Sequence, residues 1–144
     1  MNKKYPRIGT LIIAVRDGKL VMGQRKGAHG AGTWSFPGGA IEYGEDWSDT
    51  GHRELQEETG LYIDGDLDLL CVSNDYNPEW DTHWYTLWLI GNCLSGEPVV
   101  TEPDKFINLG WYSLDDMPSP LFFPLGKIKE QAVFSTLQQR LILD

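Results

Sequence analysis

Acidic side chains crowd into one stretch of this chain, and their spacing suggests a site for a divalent cation. Glu54, Glu57 and Glu58 lie three and four positions apart, so on a helix Glu54 would neighbour both of the others. Like charges placed in this way destabilise a helix by roughly 0.2–0.5 kcal/mol per pair, so the cluster requires compensation. Water around a solvated acidic face could supply it. A metal ion could also supply it, since carboxylate oxygens are the ligands that Mg²⁺ and Mn²⁺ prefer.

The element that must carry these glutamates is a helix, predicted from Asp46 to Thr59. The segment contains no proline and is followed by Gly60, a residue suited to the left-handed position just past a helix. Trp47, Gly51 and Leu55 lie four apart, and this stripe is predicted to pack inward. A glycine within a helix costs about 0.5–1 kcal/mol relative to alanine. Gly51 therefore predicts either tight packing against a neighbour or a less stable helix.

A proline–glycine–glycine loop, Pro37 to Gly39, precedes this helix, and Glu45 lies between the two. Glycine allows positive φ and close approach of the backbone, while proline stiffens the chain. Alone, such a tripeptide would predict only an ordinary turn. Joined to the acidic helix, and with Glu45 at its spacing, it favours a metal site over a solvated acidic face.

The whole stretch fits the pattern G-x5-E-x7-R-E-U-x-E-E-x-G-U, where U is apolar. The matching residues are Gly39, Glu45, Arg53, Glu54, Leu55, Glu57, Glu58, Gly60 and Leu61. The chain thus resembles the Nudix hydrolases at every defined position of their signature. Seven positions require a single residue type, so a chance match is on the order of one in a billion per starting position. The resemblance implies an α/β fold, the Nudix α/β/α sandwich with a mixed central sheet and a loop–helix catalytic motif.

The resemblance also implies an activity and roles for the motif residues. Family members cleave a nucleoside diphosphate linked to another group, using Mg²⁺, with Mn²⁺ as a substitute. Glu54 and Glu58 match the usual metal ligands, and Glu57 is either a further ligand or the base. The carbonyl group of Gly38 is expected to bind metal as well. Which carboxylate takes the proton stays open. Arg53 is expected to hold the loop by pairing with Glu45, the alternative being an exposed helix arginine.

Segments outside the signature resemble the MutT-like nucleoside triphosphate diphosphatases. They are Arg25-Lys26-Gly27, Gly30-Ala31-Gly32, Glu102-Pro103 with Lys105, Pro120-Leu121-Phe122 and Pro124-Leu125. This implies hydrolysis of (d)NTPs, oxidised or modified ones included, to monophosphate and pyrophosphate by a homodimer. Hydrolysis of a nucleotide sugar, ADP-ribose or an isoprenoid diphosphate is an alternative. A module that senses a nucleotide without cleaving it is another, although intact glutamates argue against it. The chain departs from the subgroup at Ala40 and at Phe106 to Leu109.

Substrate contacts are carried over from the same resemblance. Arg25 would contact phosphates, since its planar fork can donate two hydrogen bonds to phosphate oxygens; a surface arginine is the alternative. Six positions align with the base pocket: Ser35, Phe36, Thr86, Phe122, Phe123 and Leu125. Aromatic rings there could stack on a purine, and plain core packing is the alternative for each. Glu102 is expected to be an exposed loop residue or an additional carboxylate of the site, and His29 an exposed histidine.

Composition limits the classes of function. The 144 residues, 41% of them hydrophobic, are expected to form one domain, residues 1–144. The net charge of −9 disfavours polymeric nucleic acid as a partner, since such binding uses lysine and arginine. No signal peptide is evident, and no segment approaches the ~20 apolar residues that span a bilayer. A cytoplasmic protein is therefore expected, with Cys71 and Cys93 as buried free thiols.

A coarse layout of elements completes the prediction. Alternating apolar residues and turn signals predict strands over Arg7–Val15, Lys19–Arg25, Thr33–Phe36, Leu67–Asn74, Trp84–Asn92 and Ile107–Ser113, with an irregular segment over Asp75–Thr82. The first two strands are expected to form a hairpin through Asp17-Gly18. The later part of Leu121–Leu143 is expected to be helical, with an apolar stripe of Ile128, Ala132, Leu137 and Leu141.

Overall fold

The computed structural model describes residues 3–129 and 132–143. In chain order its elements are β1 (Arg7–Arg16), β2 (Lys19–Arg25), β3 (Trp34–Ser35), β4 (Gly38–Ala40), α1 (Trp47–Thr59), β5 (Asp68–Asn77), β6 (Thr82–Asn92), β7 (Phe106–Ser113), a 3₁₀ turn (Leu114–Asp116), α2 (Phe123–Lys129) and α3 (Ala132–Leu143). No helix within these described ranges is both long enough and apolar enough to cross a bilayer.

The strands form one mixed sheet in which β1 is central. Strand β6 pairs with β1 in parallel from Trp84 to Asn92, and β5 pairs with β6 in an antiparallel hairpin. On its other edge β1 pairs with β2 only beside the Asp17-Gly18 turn, at Val15 and Arg16. Strand β2 continues away to pair with β3 and β7. Where β2 diverges, β4 pairs with Gly9–Leu11 instead, so the loop before α1 is attached directly to the central strand.

Helices cover both faces of this sheet, as the α/β/α prediction requires. Because side chains alternate along a strand, Ile13 and Val15 enter one core and Ile12 and Ala14 the other. The first core also contains Leu125 of α2 and Leu137 of α3; the second contains Leu55 of α1. Leu137 is 3% exposed and Leu141 packs against the first core, as predicted. The side chains of Ile128 and Ala132, predicted in the same stripe, lie outside the described part.

Local chemistry explains where α1 begins and ends. The carboxylate of Asp46 accepts a hydrogen bond of 2.8 Å from the backbone N–H of Ser48, an N-cap interaction. At the other end Gly60 has φ of 75° and donates to the carbonyl of Gln56, as a glycine C-cap does. The helix therefore spans the predicted segment.

The sequence left two explanations for Gly51, tight packing or a less stable helix, and the structure supports tight packing. A Cβ atom there would lie 2.6 Å from Leu67 Cδ1 and 2.7 Å from Leu89 Cδ1, closer than carbon atoms approach without repulsion. The absent side chain lets α1 lie tightly on the sheet. Leu55 is fully buried beneath the helix, and Trp47 packs at the edge of the same core.

Two parts of the layout were predicted wrongly. The segment expected to be irregular over Asp75–Thr82 is half strand, because β5 extends to Asn77 and β6 begins at Thr82, with a turn between them. Polar residues have low strand propensity, yet cross-strand pairing with β6 keeps them extended here. Strand β4 was not predicted either, since glycines give no strand signal. Its pairing depends on the edge that β2 leaves open.

Candidate active site

The glycines of the loop before α1 lie in close contact with neighbouring residues. A Cβ atom on Gly38 would overlap the carbonyl oxygen of Thr10, and one on Gly39 would overlap the carboxyl group of Glu54. Neither glycine has positive φ. Glycine is therefore needed at both positions for close approach of the backbone, and not for the conformational freedom that the sequence also allowed. The Thr10 hydroxyl donates to the carbonyl of Gly39 at 3.1 Å. The hydrogen bond ties β4 to β1, and the missing side chain of Gly39 lets the carboxyl group of Glu54 lie close to the loop.

Arg53 forms the predicted pair with Glu45. Its Nε and Nη2 atoms donate to the two oxygens of Glu45 at 2.8 and 2.9 Å, a bidentate pair. The Thr50 hydroxyl donates to Glu45 Oε1 at 2.7 Å. Hydrogen bonds from Arg53 and then Thr50 lower the pKa of Glu45 to about 2. In return the bond to Glu45 raises the pKa of Arg53. The loop is thereby tied to the helix.

The same arginine reaches the glutamate cluster. Its Nη1 atom donates to Glu54 Oε1 at 2.9 Å and to Glu57 Oε2 at 3.2 Å. Glu54 is 6% exposed and Glu58 2%, whereas Glu57 lies in solvent. Arg53 therefore supplies part of the compensation that three neighbouring carboxylates need.

Burial raises the pKa of two of these glutamates, Glu54 and Glu58. The pKa of Glu58 is raised to about 8, chiefly by burial and further by the charge of Glu54, although a 3.1 Å hydrogen bond from the N–H of Gly38 opposes the rise. Burial also raises the pKa of Glu54, against the attraction of Arg53. Lys105 Nζ lies 3.9 Å from Glu58 Oε1 and 3.8 Å from Glu102 Oε1. Positive charge near these carboxylates favours their ionised forms.

The donor set fits a hard divalent cation. Glu54 Oε2 is buried and has no hydrogen-bond partner within the described residues, and such an oxygen is costly unless a ligand satisfies it. Across the described ranges, no three acidic, histidine or cysteine side chains are arranged so that they could hold a metal ion by themselves. An ion here would need oxygens from substrate and water as well, which is the usual arrangement for Mg²⁺.

A cleft of about 340 Å³ lies beside this cluster. Glu58, Gly38 and Gly39 line it together with Lys105. Aromatic rings line it too, and they contact one another: Trp80 stacks on Phe122 at 6.2 Å between ring centroids, and His29 stacks on Trp80 at 5.1 Å. The cleft thus joins a carboxylate group to an aromatic wall.

Five of the seven predicted substrate residues line this cleft: Arg25, Phe36, Thr86, Phe122 and Phe123. The guanidinium carbon of Arg25 lies 3.8 Å from the centroid of the Phe122 ring, a cation–π contact. Arg25 also donates to the carbonyl of His29 at 3.1 Å. Burial lowers the pKa of Arg25, and the charge of Glu58 opposes that change.

Ser35 and Leu125, which the resemblance aligns with the base pocket, lie outside the lining of the cleft. Ser35 is fully buried, and its hydroxyl donates to the carbonyl of Phe36 at 3.1 Å. Leu125 is 4% exposed and belongs to the core beside Leu137. Neither lines the cleft, because strand alternation turns Ser35 away from it and the inner face of α2 turns Leu125 towards the sheet. Both side chains are buried instead.

The cleft includes residues to which the sequence assigned no role. Among them are Asp75, Trp80, Thr82, Trp84, Lys26 and Lys105. The signal for Trp80 and Trp84 was only the abundance of tryptophan, and Asp75 was hidden in the segment expected to be irregular. His29 is exposed as expected, yet stacked on Trp80. Glu102 is half-buried rather than exposed. Cys93 is buried as expected, while Cys71 is only half-buried, and both are free thiols.

A sheet sandwiched by helices, with a glycine loop and a glutamate helix at the side of a cleft, defines a hydrolase of the Nudix type. The sequence profile of the family described as NUDIX domain matches residues 5–133. The chain belongs to the Nudix family, whose hydrolases are enzymes that act on nucleoside diphosphate derivatives.

Relatives with named functions lie within this family. An oxidized purine nucleoside triphosphate hydrolase of Mus musculus is 29% identical over 121 residues, which are 82% of this chain and 73% of the relative. The crystal structure of a MutT NUDIX hydrolase from Burkholderia pseudomallei is 33% identical, covers 94% of this chain and 98% of its own, and superposes with a TM-score of 0.78. The NUDIX domain of Shewanella oneidensis NrtR, complexed with ADP ribose, is 21% identical with a TM-score of 0.70, and shares the fold.

Proposed function

We propose that the protein is an Mg²⁺-dependent nucleoside triphosphate diphosphatase, which hydrolyses (d)NTPs, oxidised or modified ones included, to monophosphate and pyrophosphate. The observation that carries the proposal is the shared cleft, where Glu58 and the glycine loop lie in the same cavity as the rings of Trp80 and Phe122. A nucleotide has both parts that such a cavity suits, an anionic phosphate chain and a flat base. The names of the mouse relative and of its zebrafish counterpart support the same substrate class.

The residues of the acidic helix would hold the cation. Glu54, Glu57 and Glu58 would supply carboxylate oxygens, and Gly38 its carbonyl oxygen. When bound, the cation neutralises phosphate charge and lowers the pKa of a bound water. Glu57, the exposed member of the cluster, is either a ligand or the base that takes the proton of that water.

Other residues of the site would position the loop, the helix and the substrate. Arg53 and Glu45 hold loop and helix together through their bidentate pair. Arg25 and Lys105 bring positive charge to the cleft, where phosphate oxygens of the substrate would lie. The rings of Phe122 and Trp80 would stack on the base, a contact available to any purine or pyrimidine.

A substrate panel tests the proposal. The protein is incubated with Mg²⁺ and dNTPs, 8-oxo-dGTP, ADP-ribose, nucleotide sugars or isoprenoid diphosphates, and the products are separated by ion-exchange chromatography. Monophosphate with pyrophosphate from the triphosphates, abolished by EDTA, is the expected result. If only ADP-ribose, a nucleotide sugar or an isoprenoid diphosphate is hydrolysed, that compound and not a nucleoside triphosphate is the substrate. Tight binding without turnover of any compound would mean a sensing module.

Two properties of the assembly are proposed with it. A homodimer is expected from the resemblance to MutT-like diphosphatases, and a monomeric mass by light scattering at micromolar concentration would contradict it. The two free thiols support a reducing compartment, the cytoplasm.

A further inference from the structure

Asp75 is a buried carboxylate that the proposed chemistry does not use. It lies on β5, is 2% exposed and lines the cleft. Its Oδ2 atom accepts a hydrogen bond of 2.9 Å from the Ser73 hydroxyl, whereas Oδ1 has no partner within the described residues. Leaving a buried acceptor unsatisfied is costly. The cleft is therefore shaped for a donor that the chain itself does not provide.

A buried chain of hydrogen bonds fixes the orientation of this carboxylate. The indole Nε1–H of Trp88, which is 1% exposed, donates to Ser73 Oγ at 2.8 Å. Because the serine oxygen accepts that bond, its single proton is free to point towards Asp75. In the part of the chain that the structure describes, no lysine, arginine or histidine nitrogen lies within 4.0 Å of Asp75. The carboxylate is thus held by a neutral donor and keeps its capacity to accept.

The neighbours of Asp75 suit a flat ring. Asp75 pairs directly with Trp84 across the β5–β6 hairpin, so their side chains lie on one face of the sheet. Thr86, two residues further along β6, is on that face as well and also lines the cleft. The stacked rings of Trp80 and Phe122 line the same cavity. A heterocycle lying against these rings would present its edge to a polar group, and Asp75 is such a group.

A carboxylate selects among bases by the donors on that edge. Guanine carries two adjacent donors, N1–H and N2–H₂, which match the acceptors of a carboxylate. Adenine and cytosine place one donor beside an acceptor, and thymine or uracil places its donor between two acceptors, so each would set an acceptor against the carboxylate. Oxidation at C8 leaves the guanine N1 and N2 donors in place.

We infer that Asp75 is a specificity-determining residue that binds the N1–H and N2–H₂ edge of a guanine-type base. The inference rests on the proposed function and names its substrate class, guanine nucleotides, whether oxidised at C8 or not.

The test compares kcat/KM for dGTP, 8-oxo-dGTP, dATP, dCTP and dTTP in the wild type, in Asp75→Asn and in a control, Asp68→Asn. Asp68 lies on the same strand but is exposed and pairs with Arg140, so the control makes the same chemical change away from the cleft. The wild type and the control should prefer guanine substrates. In Asp75→Asn the guanine-to-adenine ratio should fall roughly 10- to 100-fold, mainly through KM, because asparagine presents a donor beside an acceptor and so matches adenine.

Each other outcome has a defined meaning. A wild type that prefers adenine or pyrimidine substrates would overturn the inference without any variant. An equal loss for all bases in Asp75→Asn would show a structural role and overturn it too. If no triphosphate is hydrolysed, the proposed function fails, and calorimetric binding of GMP and AMP then tests Asp75 separately. Tighter GMP binding that is lost in Asp75→Asn would support the inference; equal binding of both nucleotides, or none, would overturn it.

Discussion

Replacing Gly51 by alanine sets two opposing effects against each other. Alanine is a better helix former by about 0.8–1.0 kcal/mol, which would stabilise α1. The added Cβ, however, would lie 2.6 and 2.7 Å from methyl carbons of Leu67 and Leu89. Those leucines are 4% and 0% exposed, so they cannot move aside into solvent, and overpacking of this kind costs about 1–3 kcal/mol. The clash should prevail, with a net loss of about 1 kcal/mol.

Gly126 provides the matched control. It lies within α2, and a Cβ atom there would meet nothing within 4 Å, so Gly126→Ala should gain about 0.5–1 kcal/mol. Urea unfolding should show opposite signs for the two variants, and Gly51→Ala should melt about 2–4 °C below the wild type. If Gly51→Ala were as stable as the wild type while Gly126→Ala gained as expected, the packing explanation for α1 would be wrong.

Three further predictions follow from the site and its surroundings. Glu57→Gln or Glu58→Gln should lower turnover by orders of magnitude while circular dichroism stays unchanged; a variant with near-normal rates in Mg²⁺ would have no catalytic role. Because the pKa of Glu45 is about 2 in the folded protein against an ordinary value near 4.5, its stabilisation is present above pH 4.5 and lost as the pH falls towards 2. The stability cost of Glu45→Gln should therefore shrink over that window in urea titrations, and a cost independent of pH would contradict the Arg53 pairing. Burial, with a smaller contribution from Asp75, raises the pKa of Cys71 to about 11 from 9.0, so its alkylation at pH 8, followed by mass spectrometry, should be about 100-fold slower than in the unfolded chain; equal rates would contradict it.

Helix α1 could be predicted from the sequence because its signals are local. Asp46 and Gly60 mark its ends, and the spacing of the glutamates depends only on helical geometry. The pairing of Arg53 with Glu45 was predicted too, although from the resemblance to a family rather than from geometry. These features depend on residues close together in the chain.

The cleft could not be predicted because it depends on contacts between distant segments. Asp75 faces the cavity only because polar residues of β5 are kept extended by β6, against their propensity. For Ser35 and Leu125 the sequence could not show that the side chain turns away from the cleft. Each occupies a position aligned with a base pocket, yet each is buried. Which face of a strand or helix turns inward is decided by the whole sheet.

Diffraction from crystals soaked in Mn²⁺ tests whether the glutamates of α1 bind a divalent cation beside the cleft. The anomalous signal of manganese should lie among the carboxylate oxygens of Glu54, Glu57 and Glu58 and the carbonyl oxygen of Gly38, and it should disappear in Glu58→Gln. Well-ordered carboxylates with no anomalous peak between them, at a Mn²⁺ concentration that supports turnover, would contradict such binding.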